Sequence, residues 1–153
     1  MPTRTANAKW EGGLKDGRGN FSLASGLGGD FSFSSRFESA PASNPEELLG
    51  AAYASCFSMA LAAALEKNGT PSTSVATTAN ATLEKVGDAF SITKIALTVT
   101  AVVPNVDDPT FQRFATATKD GCIIARALKG NMDLQMVATL QNAVGVGKGP
   151  RSH

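Results

Sequence analysis

The hydropathy pattern is dominated by one uninterrupted stretch, LLGAAYASCFSMALAAAL, which runs from Leu48 to Leu65 without a charged residue. Its flanks carry helix signals. Asn44 is a good N-cap, Pro45 suits the first helical position, and Glu46 and Glu47 place acids where the helix dipole favours them. Asn68-Gly69, with Pro71 beyond, supplies the stop. The spacing predicts a helix from Pro45 to about Lys67. A helix apolar on every side must be wrapped on every side, so a buried central helix is expected. The run is only just long enough to span a bilayer. Its richness in Ala, Gly and Ser, and flanking acids Glu46, Glu47 and Glu66 without a basic counterpart, argue against a membrane span.

Elsewhere the pattern shortens to strands and turns. Ala8–Glu11 and Gly19–Ser25 flank an Asp16-Gly17 hairpin signal. Beyond the Gly26–Asp30 turn, Phe31-Ser32-Phe33-Ser34 alternates with period two, which predicts a half-buried strand continuing towards Phe37. Thr73–Val86 and Phe90–Val103, rich in Val, Ile and Thr, read as a long hairpin around Gly87-Asp88. A second helix is expected over Thr110–Thr118, starting at Pro109. It should break or kink at Asp120-Gly121, resume over Cys122–Leu128 and stop at Gly130. Asn131–Val144 reads as a last strand, and residues 145–153 as a frayed tail. The order βββ-α-ββ-α-β is that of an α+β fold with mostly antiparallel pairing, in a single domain over 1–153.

Composition narrows the function classes. With 42% apolar and 18% charged residues the 153-residue chain is globular, and a net charge of +1 without a Lys/Arg cluster gives no footprint for nucleic acid or an anionic membrane. Met1-Pro2-Thr3-Arg4-Thr5-Ala6 lacks the apolar core of a secretory signal, so a cytoplasmic location is expected. There a lasting structural disulfide is uncommon, whereas a catalytic one is not.

The sole histidine is His153, in the expected tail, which disfavours Ser-His-Asp and Cys-His catalysis. Two distant cysteines do not make a zinc site, and Gly26-Leu27-Gly28-Gly29 does not lead into a helix as a phosphate loop would. No metal or cofactor is implied. Cys56 and Cys122 remain, each either a small buried hydrophobe or a reactive thiol. The thiolate is the nucleophile, and lowering a thiol's pKa by about 3 units takes roughly 4 kcal/mol of preferential anion stabilisation. Cys56 lies too deep in its helix for the dipole to help, and burial opposes ionisation. A reactive Cys56 therefore needs a fixed cation, for which an arginine is best suited. Arg4, Arg18 and Arg36 precede the helix, and Arg36 lies closest to its start. Glu46 or Glu47 could hold the guanidinium. On a straight helix Glu46 stands about 15 Å from Cys56 along the axis, so direct contact would require a bend near Gly50 or a second subunit.

The stretch Asn44-Pro45-Glu46-Glu47-Leu48-Leu49-Gly50-Ala51-Ala52-Tyr53-Ala54-Ser55-Cys56-Phe57-Ser58-Met59-Ala60-Leu61 closely resembles the osmotically inducible protein C / organic hydroperoxide resistance (OsmC/Ohr) family, its OsmC branch in particular. Lys9-Trp10-Glu11-Gly12, Ser35-Arg36-Phe37-Glu38, Ile92-Thr93-Lys94-Ile95 and Gly121-Cys122 extend the resemblance along nearly the whole chain. The resemblance implies a thiol-dependent peroxidase, an antioxidant stress-response enzyme favouring organic hydroperoxides. It also implies an intertwined homodimer, with two long helices enclosed by sheets from both chains. By motif position Cys56 matches the peroxidatic cysteine, Cys122 the resolving cysteine, Arg36 the activating arginine and Glu46 its carboxylate partner. Arg18 is the position closer to the Ohr branch. The implied reductant is an external dithiol, such as a lipoyl-bearing protein. Many relatives have proline after the second cysteine, where this chain has Ile123. Two other readings stay open: a dimeric apolar-ligand binder whose cysteines only pack, and a disulfide redox sensor.

Overall fold

The computed structural model describes residues 1–141. The chain forms two compact units, one covering Met1–Leu48 and the other starting at Leu49. In the first, β1 (Ala6–Glu11), β2 (Arg18–Leu23) and β3 (Gly28–Phe31) form an antiparallel sheet in that order. Gly19 faces Phe31 across the β2–β3 register, and the Phe31 ring fills the space a Cβ at Gly19 would need.

The expected strand past Phe31 is not formed. Ser32 instead caps a short helix α1 (Phe33–Phe37), its hydroxyl accepting from the Ser35 amide while the Ser35 hydroxyl accepts from the Ser32 amide. These reciprocal bonds satisfy two donors that a helix start otherwise leaves orphaned, and they override the Phe-Ser alternation. The Ser35 hydroxyl also donates to the Ser43 carbonyl at 2.7 Å, and Asn44 Nδ2 donates to the Ser35 carbonyl at 3.2 Å. Both bonds tie α1 to the residues before the next helix.

That helix, α2 (Pro45–Lys67), runs continuously through Gly50. Asn44 caps it by accepting from the Glu47 amide at 2.8 Å. At its far end Gly69 takes a positive φ of 82°, and Thr70 N–H returns to the Leu65 carbonyl at 3.0 Å. Tyr53, Phe57, Leu61 and Leu65, spaced by one turn, are fully buried. Among the described residues nothing covers the opposite face: 28% of the apolar window is buried, and Met59 is 74% exposed. The all-round burial expected for this helix is thus met on one side.

In the second unit β4 (Ser74–Val86) and β5 (Ala89–Val102) form the expected hairpin, turning at Gly87 with φ of 63°. Helices α3 (Asp108–Gly121) and α4 (Ile123–Leu128) follow, and β6 (Asp133–Gln141) pairs parallel to β5. This parallel pair stands beside three antiparallel ones, in line with the mostly antiparallel pairing expected. The expected strand end at 142–144 and the tail at 145–153 lie outside the described residues. Ile95, Leu97 and Val99 of β5 join the α2 face, Phe111 and Ala115 of α3, Ala125 of α4 and Leu134 of β6 in one core. Each large side chain fully buried in this way contributes about 1.5–3 kcal/mol.

Candidate active site

The first unit builds an ion pair. Arg36, on α1, donates through Nε to both Glu46 oxygens (3.0 and 3.3 Å) and through Nη2 to Oε1 at 2.8 Å. Glu46 is 7% exposed, and the Arg36 side chain is 41% exposed. A buried carboxylate held bidentately by a guanidinium is a strong, oriented pair. Nη1 has no partner among the described residues, so that side of the fork is available to an anion. Glu47 is exposed and faces Ser43, which leaves Glu46 as the partner. Beside Arg36 lies a pocket of about 190 Å³ lined by Trp10, Leu14, Phe31, Phe33, Phe37 and Pro45. Arg18 lines a different, more polar cavity with Glu11, Asn20 and Asp30, and Arg4 sits with Leu23 and Ala24 in a third.

The second unit brings the cysteines together. Cys56 is half-buried on α2, one position before Phe57. Cys122 is 5% exposed and occupies the break between α3 and α4, where its φ of −66° and ψ of 158° are extended rather than helical. Two consecutive amides of the first turn of α4 serve one sulfur each: Ile124 N–H donates to Cys56 Sγ at 3.5 Å, and Ala125 N–H to Cys122 Sγ at 3.4 Å. Both cysteines are free thiols, and the consecutive amides set their sulfurs beside one another. Burial pushes the Cys122 thiol up, and the nearby Cys56 thiol adds to this, while the backbone amides offset only part. Cys122 is therefore a protonated thiol at neutral pH.

Sequence reasoning missed the α4 amides and Tyr53. Backbone donors carry no side-chain signature. Tyr53 had one: a lone tyrosine in an uncharged helix must find a partner for its hydroxyl when buried. It donates to the Lys119 carbonyl at 2.6 Å.

Two neighbouring thiols, one on a long core helix and the other at a helix break, stand on an α+β frame. Residues 38–137 match the family model described as OsmC-like protein, and the chain belongs to that family. It is 43% identical over 133 residues to the Peroxiredoxin OsmC of Escherichia coli strain K12, covering 86% of this chain and 93% of that protein. It is 32% identical over 96 residues to the Organic hydroperoxide resistance protein-like 1 of Staphylococcus epidermidis, covering 62% and 68%. Among solved structures, an organic hydroperoxide resistance protein OsmC from Legionella pneumophila superposes with a TM-score of 0.68 at 21% identity, covering 91% of this chain and 99% of that one. OhrB of Bacillus subtilis gives 0.66 at 22% identity, covering 88% and 98%. At those identities the structures establish the shared fold.

Proposed function

We propose that this protein reduces organic hydroperoxides with Cys56 as the attacking thiol and Cys122 as the resolving thiol. The similarity to a peroxiredoxin over most of the chain makes it a peroxidase with a role in hydroperoxide resistance. The observation that carries the finer reading is the pair of consecutive α4 amides, one on each sulfur, which keeps the two thiols neighbours before any oxidation. The Cys56 thiolate attacks the terminal peroxide oxygen; the O–O bond breaks and the alkoxide leaves, taking a proton to become the alcohol. The sulfenic acid on Cys56 then condenses with the Cys122 thiol, forming the disulfide and releasing water. An external dithiol, such as a lipoyl group on a partner protein, reduces the bridge by exchange and is itself oxidised to a disulfide.

Arg36, oriented by Glu46, is by its motif position the cation this chemistry requires. The aromatic pocket beside Arg36 favours an alkyl or aryl peroxide over a small polar one. The uncovered face of α2, with Met59 exposed, is the surface on which a second copy docks, giving a homodimer in the cytoplasm. The test is hydroperoxide consumption driven by dihydrolipoamide. Cys56→Ser loses turnover by about 1,000-fold or more, on the scale of removing a catalytic nucleophile. Cys122→Ser consumes one equivalent and stops as the sulfenic acid. Turnover retained by Cys56→Ser overturns the proposal.

A further inference from the structure

The break between α3 and α4 is where the resolving thiol is presented, and the chain does not continue as one helix there for an identifiable reason. Cys122 N–H still completes the α3 ladder, donating to the Thr118 carbonyl at 3.1 Å. The next rung would take Ile123 N–H to the Lys119 carbonyl. That carbonyl is engaged by the Tyr53 hydroxyl at 2.6 Å, and the Lys119 ammonium is tied to the Leu134 carbonyl on β6 at 3.1 Å. Beyond this point the backbone turns extended at Cys122, and the sulfur swings onto the first turn of α4. Had the helix continued, Cys122 would take helical φ and ψ and its sulfur would leave the Ala125 amide.

Tyr53 also shares its helix with Cys56, three residues away and therefore on a neighbouring position of the helix surface. It is fully buried, and burial together with the nearby Cys122, Asp120 and Cys56 pushes its phenol well above the usual range. The hydroxyl is thus a fixed neutral donor, not a proton shuttle. One side chain links the helix that carries the attacking sulfur to the carbonyl that ends the helix before the resolving one.

We infer that Tyr53 is a positioning residue for the second chemical step: through Lys119 it holds the helix break that aims Cys122 at the Cys56 sulfenic acid. This rests on the two-thiol mechanism proposed above. A longer wait for Cys122 leaves the sulfenic acid open to a second hydroperoxide, which oxidises it to sulfinic acid and leaves as alcohol. Tyr53 therefore sets how much peroxide the enzyme survives.

The experiment compares wild type, Tyr53→Phe and a control, Leu65→Ala, buried on the same face of α2 three turns away. The first step is read as the rate of Cys56 oxidation in a single turnover without reductant. The outcome is read by intact mass: loss of two hydrogens for the disulfide, gain of two oxygens for sulfinic acid. Tyr53→Phe is expected to keep the first rate within about twofold, slow disulfide closure by about tenfold, the equivalent of one misdirected hydrogen bond, and build up sulfinic acid at peroxide doses that wild type survives. Because Tyr53 is the only tyrosine, replacing it throughout with 3-fluorotyrosine keeps the donor and should keep the wild-type outcome. Disulfide closure at the wild-type rate in Tyr53→Phe overturns the inference. So does an equal rise of sulfinic acid in Leu65→Ala, since general loosening would then explain it. Retained turnover in Cys56→Ser strikes the underlying mechanism instead, whatever Tyr53→Phe does.

Discussion

The two compact units bury different things. Every fully buried apolar side chain lies between Tyr53 and Leu134, whereas before Leu49 the buried side chains are the polar Ser35 and Glu46. The aromatic residues of the first unit, Trp10, Phe21, Phe31, Phe33 and Phe37, are all only half-buried. The second unit has the composition of a hydrophobic core, stabilised by area removed from water. The first holds a buried carboxylate paired with a partly exposed guanidinium, with aromatic surface left open beside it. Under the proposed function stability and substrate handling are separated along the chain, and substitutions should reveal the separation.

The largest contrast comes from one phenylalanine in each unit. Phe57→Ala removes a fully buried ring and should cost about 3–5 kcal/mol in urea denaturation. Phe33→Ala removes a half-buried ring that stacks on Phe37 at 5.0 Å and should cost about 1 kcal/mol. Its main effect should be a raised KM for bulky hydroperoxides with little change for hydrogen peroxide. Equal destabilisation by the two variants would show that the first unit's aromatics are core after all.

Next in size is a loss of activity without a comparable loss of stability. Arg36→Ala should lower kcat/KM for an organic hydroperoxide by about 100–1,000-fold, as for removal of one oriented charge stabiliser. Its melting temperature should fall by less than the activity does, because the guanidinium is partly exposed but the buried Glu46 carboxylate is left without its partner. Glu46→Gln should reduce activity less, since the amide still accepts one bond from the guanidinium. Activity retained in Arg36→Ala would move the cation's role elsewhere, with Arg18 the first residue to examine.

The elements that could be read from sequence are those whose signals are local. The Asn44-Pro45 start and Asn68-Gly69 stop of α2, the Gly87 turn and the break after Gly121 all lie within a few residues of what they control. The helix α1 was hidden because Phe31-Ser32-Phe33-Ser34 fits a strand equally well, and two serine hydroxyls decide the outcome. The parallel pairing of β6 depends on a crossover through α3 and α4, which no window of a few residues contains. Arg36, Glu46 and the two cysteines could be singled out by scarcity, by charge and by family motif. The amides of Ile124 and Ala125 could not, because any residue type supplies them.

The smallest effect separates the two jobs of Cys122. Its sulfur accepts from the Ala125 amide as the N-cap of α4, so it has a structural role besides its chemical one. Cys122→Ser keeps a hydroxyl acceptor at the cap and Cys122→Ala does not, so Ala should be less stable than Ser by about 1 kcal/mol, with both unable to close a disulfide. Alkaline pH sharpens the same point. The folded thiol's pKa is raised, so its stabilising contribution is complete below the ordinary value of 9.0 and is lost as pH climbs from there through the folded value. The wild-type urea midpoint should therefore fall as pH rises above 9.0, and fall less steeply in Cys122→Ser, which has no thiol to ionise at that position. Identical slopes would mean that the Cys122 thiol ionises as readily folded as unfolded, and that the burial of its sulfur has no energetic consequence.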